Sequence, residues 1–176
     1  MRISKRILGM AAACALSGQS AMAQEQVSEN AVASITDWTV FVEENPKECW
    51  GVSEPTNTVN TRDGRVVAAN RGQILLMVFY RPEKADGQVA FTGGYPFRDD
   101  SSVSVDIGGT EFTMFTDGEW AWTASASDDA KLVAAMKRGA NAVVTGISSR
   151  GTTTKDTFSL LGFTAAVEDA EKRCTG

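Results

Sequence analysis

The sequence predicts a mainly β protein, an antiparallel sandwich or flattened barrel of about eight to ten strands with two short helices. Three observations carry that expectation. Short apolar runs recur at regular intervals, each about as long as a strand and bounded by turn residues. Glycine outnumbers proline sixteen to four, and the pairs Gly93-Gly94 and Gly108-Gly109 fall between such runs. Only two stretches space their apolar residues as a helix does. With 176 residues, 43% hydrophobic and 22% charged, the chain suits one folded domain and excludes collagen-like and disordered classes.

The N-terminus is read apart from the fold. Arg2, Lys5 and Arg6 make a basic start, residues 7–16 an apolar stretch, and Ala21-Met22-Ala23 a small-x-small site. This is the pattern of a secretory signal peptide over residues 1–23, cut between Ala23 and Gln24. The apolar stretch is about half the roughly 20 residues that a membrane-spanning helix needs, so no membrane span is expected. Ala11-Ala12-Ala13 lacks the large aliphatic residue that lipoprotein processing at Cys14 would want. Cleavage removes three positive charges and no negative one, leaving a chain more acidic than the −5 of the whole. Phosphate backbones repel such a chain, so nucleic acid is not an expected partner. Cys14 leaves with the leader, and Cys49 and Cys174 remain in an oxidising compartment. One bridge between them is the simplest outcome and two free thiols the alternative.

Residues 24–36 are polar and small, without periodicity, and read as a disordered lead-in to a single domain over 37–176. Residues 37–43 alternate Trp38, Val40 and Val42 against Thr39 and Phe41, and 49–53 form a second strand after the Asn45-Pro46 turn. Residues 56–64 read as a loop ending in a turn at Asp63-Gly64. Residues 74–80 are unbrokenly apolar, as in a strand buried on both faces, and Pro82 stops them. A strand over 88–92 closes at Gly93-Gly94, and Gly93-Gly94-Tyr95-Pro96-Phe97 then makes a fixed corner. Its glycines permit positive φ, the Tyr-Pro bond raises the cis fraction, and Tyr95 and Phe97 plug the end of the core with Arg98 beside them.

Residues 103–124 read as a three-strand meander with Gly108-Gly109 and Asp117-Gly118 as two-residue hairpin linkers. Counting outward places Val105 opposite Phe112, Val103 opposite Met114, Phe115 opposite Trp120 and Thr113 opposite Trp122. One face then carries Val103, Val105, Ile107, Phe112 and Met114. The other carries Phe115, Trp120 and Trp122 beside Ser104, Asp106 and Glu111. Residues 127–138 form the stronger helix, with Ser127 as cap, Asp128 and Asp129 in the first turn, Lys137 and Arg138 in the last, and Gly139 as stop. Leu132, Val133 and Met136 make its apolar stripe. Residues 140–148 and 154–160 pair around Arg150-Gly151, and 164–174 form a terminal helix. Val167 and Ala170 give that helix only a narrow apolar stripe, too little to dock it firmly by burial alone, so a Cys49–Cys174 bridge is expected to hold it onto the domain.

The chain has no histidine, which removes the commonest general base and metal ligand together. Asp99, Asp100 and Asp106 lack the alternation of a calcium loop, and no spacing pairs a serine with Lys131, Lys137 or Lys155. No catalytic, metal or cofactor site is expected. Trp50, Trp120 and Trp122 with Tyr95 fit an aromatic platform for a sugar or peptide. The plainer reading has the helix after Ser127 cover Trp120 and Trp122 as core. Tyr95, Arg98, Trp120 and Trp122 are the candidate partner contacts.

Several segments, taken in order, carry a resemblance: Asp37-Trp38-Thr39-Val40-Phe41, Pro46-Lys47-Glu48-Cys49-Trp50, Gly94-Tyr95-Pro96-Phe97, the helix from Asp129 to Gly139, Arg150-Gly151-Thr152, and the ending Ser159-Leu160-Leu161-Gly162-Phe163-Thr164-Ala165-Ala166. Their order and spacing resemble the invasion-associated locus B family of Gram-negative bacteria across the mature domain. Members often carry a cysteine shortly after the first tryptophan, where this chain has Thr39 to Val42. The resemblance implies a small exported protein without catalysis, periplasmic or secreted, acting as an accessory or interaction protein of the cell envelope. Its partner would be a protein of the envelope or of a host cell. Members of free-living species share the family, so its name does not imply invasion here. The alternative expectation is a small-ligand or glycan binding module using an aromatic surface patch.

Overall fold

The computed structural model describes residues 30–176. The expected leader, Cys14, the Ala23–Gln24 bond and residues 24–29 of the lead-in lie outside the described residues.

The twelve strands are β1 (Ala31–Ile35), β2 (Trp38–Glu44), β3 (Lys47–Ser53), β4 (Asn57–Arg62), β5 (Arg65–Val66), β6 (Leu75–Arg81), β7 (Lys84–Thr92), β8 (Ser102–Ile107), β9 (Thr110–Asp117), β10 (Trp120–Trp122), β11 (Asn141–Ile147) and β12 (Thr153–Ser159). Helix α1 (Ala126–Met136) follows β10, and α2 (Phe163–Thr175) ends the chain. The strands form one antiparallel sheet in the order β1-β2-β3-β6-β7-β10-β9-β8-β11-β12-β4-β5. The sheet folds over on itself. Strands β7 and β12 stand five places apart, roughly 24 Å along a flat sheet at about 4.8 Å per strand, yet Phe91 and Phe158 meet edge to face with ring centroids 6.1 Å apart. At one end Trp38 donates its indole N–H to the Ser159 carbonyl at 3.0 Å and stands edge-on to Phe163 at 4.8 Å. The result is sandwich-like, with Leu76, Val78, Val89, Phe91, Val103, Val105, Met114, Val144 and Phe158 buried between the layers. Among the described residues no helix is long and apolar enough to cross a membrane.

The strand count exceeds the eight to ten expected because three stretches read as coil are paired. β1 falls within the expected lead-in and pairs with β2. β4 and β5 occupy the expected loop over 56–64 and its sequel, β4 pairing with β12 and β5 with β4. β4 is polar and its residues are exposed or half-buried, so it owes its extension to the backbone ladder with β12 rather than to burial. The Asp63-Gly64 turn is as read, with φ of 50° and 74°.

Strand β6 is not buried on both faces. Leu76, Val78 and Tyr80 point into the core, while Leu75 and Phe79 stay half-buried on the outer face. The β8–β9 register matches the count from Gly108-Gly109, with Val103 opposite Met114 and Val105 opposite Phe112. The β9–β10 register differs, for Asp117 faces Trp120 and Phe115 faces Trp122. The tight loop is Gly118-Glu119, with Gly118 at φ 59° in the first central position, where a type II′ turn places glycine. The slip is two residues, so every side chain keeps its expected face.

Helix α1 starts two residues earlier than read. Ser125, not Ser127, is the cap, accepting from the Asp128 N–H at 3.2 Å while its hydroxyl donates to the Asp128 carboxylate at 2.7 Å. These bonds, together with Lys131, hold the Asp128 carboxyl below its ordinary pKa. Lys137 becomes the C-cap. Asp129 is buried and accepts from the Val89 N–H at 2.7 Å and the Thr123 hydroxyl at 2.6 Å, tying the helix to β7. Helix α2 lies across β1, β2, β3, β6 and β7. Its buried stripe is broader than the sequence suggested, adding Phe163 and Ala166 to Val167 and Ala170. Cys49 of β3 and Cys174 of α2 are joined by a disulfide with a Cα–Cα distance of 5.7 Å.

Residues 93–97 form a corner, although the cis peptide of the described residues is Asn45–Pro46 rather than Tyr95–Pro96. Gly94 has φ 70°, and a Cβ there would lie 2.5 Å from the Gly72 carbonyl oxygen. That close approach brings in residues 67–74, which connect β5 to β6 and carry Arg71. The Arg71 guanidinium clamps the Asp156 carboxylate in two bonds, of 2.7 and 2.5 Å, and donates to the Gly93 carbonyl at 2.8 Å. The two side chains are 6% and 0% exposed, so this ion pair sits within the protein.

Candidate functional site

The outer face of the sheet carries the arrangement with most surface meaning. Residues opposite one another in antiparallel strands share a face, so the registers can be read straight across. Thr39, Val52, Met77, Ala90, Trp122 and Phe115 form one row from β2 to β9. Phe41, Trp50 and Phe79 form the adjacent row, and Leu75, Thr92 and Trp120 the row on the other side. The rings run on from strand to strand. Phe41 and Trp50 stack at 5.5 Å and 6°, Trp50 and Phe79 lie 5.9 Å apart, Phe79 and Trp122 6.5 Å, and Trp122 and Trp120 5.8 Å. Small Ala90 between Met77 and Trp122 leaves room for Phe79 to reach across β7.

Neither helix covers this ladder. Helix α1 packs on the inner side with Leu132 and Met136 in the core, so the expectation that it buries Trp120 and Trp122 is corrected. Phe115 is 50% and Trp120 36% exposed. One end of the ladder opens into a groove of about 510 Å³ whose walls include Phe41, Trp50, Val52, Leu75 and Met77, with Asp37 and Glu54 beside them. At the other edge of the row Arg81 lies 6.0 Å over the Phe79 ring and pairs with Glu48. Phe41 and Trp50 cover each other's faces and the remaining rings lean on one another at 30–35°, so the ladder offers solvent a continuous apolar strip.

Of the residues singled out from the sequence, the structure brings Trp50, Trp120 and Trp122 together through Phe79. It places Tyr95 and Arg98 elsewhere. Tyr95 turns toward Arg71, whose guanidinium lies 5.1 Å over its ring, and toward Thr154, with which its hydroxyl shares a 2.5 Å hydrogen bond. Burial raises the Tyr95 pKa above its ordinary 10.0, with Thr154 and Arg71 partly opposing that rise. Phe97 is buried and meets Tyr95 edge-on at 5.1 Å, so the two do plug the core at this corner. Arg98 is exposed beside them. Sequence reasoning missed Phe41, Phe79 and Met77. The Asn45-Pro46 turn held a signal for the first, because a two-residue linker there sets Phe41 opposite Trp50.

No curated protein matches the chain, and no solved structure does. Residues 38–171 match the invasion associated locus B (IalB) protein family. That span runs from the buried Trp38 in β2 to the later turns of α2, taking in the whole ladder, the Gly94–Phe97 corner and both helices. The chain belongs to the invasion associated locus B family.

Proposed function

We propose that this protein is an exported, non-catalytic interaction protein of the bacterial cell envelope whose aromatic outer face meets its partner. The observation that carries the reading is the uncovered ladder from Phe41 to Trp120. An apolar strip of that length on a sheet face opposed by neither helix is where soluble proteins dock. The partner it fits is a protein segment with apolar side chains flanked by basic ones, since Asp37, Glu54 and Asp117 border the strip and Arg81 at its edge is paired with Glu48. Family membership supports an envelope role, and the disulfide is compatible with an oxidising compartment.

Trp120→Ser with Phe115→Ser tests the face at its two most exposed rings, where folding has little at stake. Capture of the partner from a periplasmic extract should fall at least tenfold, in the range of about 2 kcal/mol for interface anchors, with circular dichroism unchanged. Equal capture would refute the assignment, and quenching of tryptophan emission by a glycan would favour the binding-module alternative. Protein recovered from the periplasm or medium should begin at Gln24 on N-terminal sequencing. A chain starting at Met1 in the cytoplasm would overturn the export.

A further inference from the structure

A second cleft, of about 400 Å³, shares no lining residue with the aromatic groove. It opens where the corner after β7, the 67–74 segment and the loop between β11 and β12 converge. Backbone bonds hold the three together: Gly72 N–H to Gly94 carbonyl at 2.9 Å, Ser149 N–H to Pro96 carbonyl at 2.9 Å, and Arg98 N–H to Ile147 carbonyl at 2.9 Å. The loop is itself closed by Ser148, which receives the Thr152 N–H on its hydroxyl at 3.1 Å. The mouth is therefore a built and rigid one.

Its lining includes Arg62, Arg71 and Arg150 against one exposed carboxylate, Glu119. Arg71 is committed to Asp156. Arg62 and Arg150 are not, for among the described residues neither has a carboxylate within salt-bridge reach. The Arg62 guanidinium is held at the wall by donating to the Thr152 hydroxyl at 2.6 Å. Arg98 reaches the same loop from outside, for a Cβ on Gly151 would stand 3.4 Å from its Nη2. A chain of net charge −5 thus gathers three guanidiniums without carboxylate partners around one short loop. Among the described residues no carboxylate lies within salt-bridge reach of any of the three, and planar guanidinium forks match the oxygens of a carboxylate or phosphate. Asn70 and Ser149 add neutral hydrogen-bonding groups to the lining, while Ala68, Ala69, Tyr95 and Pro96 give it an apolar side. Glu119 accepts hydrogen bonds from hydroxyls and repels a second negative charge.

We propose that this cleft binds a saccharide unit bearing a single oxyanionic substituent, carboxylate or phosphate. Arg62 and Arg150 take the oxyanion, and Glu119, Asn70 and Ser149 meet the ring hydroxyls. The volume lies within the usual range for small-ligand pockets. The assignment is independent of the aromatic face and survives if that face has no partner.

The test is titration of the mature, disulfide-bonded protein at low ionic strength with glucuronate, glucose 1-phosphate, glucose and inorganic phosphate, followed by amide chemical shifts. One or both sugar anions should bind, telling carboxylate from phosphate, with shifts confined to residues 62, 70, 94, 95, 119 and 148–154. Glucose and inorganic phosphate should each bind at least tenfold more weakly. Arg150→Gln and Arg62→Gln should each weaken the sugar anion by about tenfold or more, the expected loss of one charge-assisted hydrogen bond. Arg150 is the cleaner of the two, since among the described residues its side chain has no partner to lose. No binding by either anion, glucose binding as tightly as its charged counterparts, or an Arg150→Gln protein that binds unchanged would overturn the proposal. Inorganic phosphate binding as tightly as glucose 1-phosphate would overturn the saccharide.

Discussion

Arg71→Leu should lower the unfolding free energy by about 3–5 kcal/mol, the loss expected when one member of a buried ion pair is removed. In a chain of this size that corresponds to a drop in Tm of roughly 6–20 °C. The reason lies with the partner left behind. Asp156 is 0% exposed and its two carboxylate oxygens rest on Arg71, so the leucine variant buries a charge with nothing to compensate it. Removing both partners, as Arg71→Leu with Asp156→Leu, should recover much of the loss, because a buried pair is worth little against apolar groups of similar size. Urea unfolding of the two singles and the double gives the coupling directly. An Arg71→Leu protein within about 1 kcal/mol of the parent would show that water reaches Asp156 and that the clamp is not closed.

Replacing both bridge cysteines, Cys49→Ser with Cys174→Ser, should cost about 2–5 kcal/mol. The bond closes a separation of 125 residues, and a loop of that length has much denatured-state freedom to regain, up to about 5 kcal/mol on loop entropy alone. The helix itself should stay docked. Phe163, Ala166, Val167 and Ala170 are all buried against the sheet, so the stripe is sufficient without the covalent tie. The cut should therefore appear as a lower unfolding midpoint, with faster amide exchange confined in the native state to the last turn around Cys174. Exchange spreading back to Phe163 would show instead that the bond holds α2 in place. A nonreduced digest, with both cysteines alkylated without reduction, would dispose of the bridge altogether.

The parts of the fold that were legible in the sequence are those set by short-range geometry. The β8–β9 register followed from Gly108-Gly109, and the faces of the meander survived even where its second turn was misplaced, because a two-residue slip preserves parity. Capping was harder, since Ser125 and Ser127 both suit a helix start and only the carboxylate three residues on selects the first. What the sequence hid was settled by distant pairing. β4 is polar and extended only because β12 is beside it. Arg71 and Asp156 lie 85 positions apart with no local pattern to join them. Trp50 and Trp122 were visible as aromatic residues, but Phe79, which links them, takes its meaning from the order of β3, β6, β7 and β10 in the sheet. The cleft at Arg62 and Arg150 was hidden for the same reason, as its two cations are far apart in the sequence and meet only because the Thr61–Thr153 pairing sets the end of β4 beside the loop before β12.

That pairing also governs when the molecule can exist at all. β4 has only β12 and the two residues of β5 to pair with, and Trp38 in β2 is sealed by Ser159 and Phe163 near the other terminus. A chain emerging from its N-terminus can pair β1, β2, β3, β6 and β7 early, but it reaches its final stretch with β4 still waiting for β12. Sheets closed by such remote contacts form slowly, on the order of milliseconds to seconds for all-β domains. Until the last residues arrive, β4 lacks the strand that holds it extended and Trp38 lacks the groups that seal it, so the sandwich closes only on a finished chain.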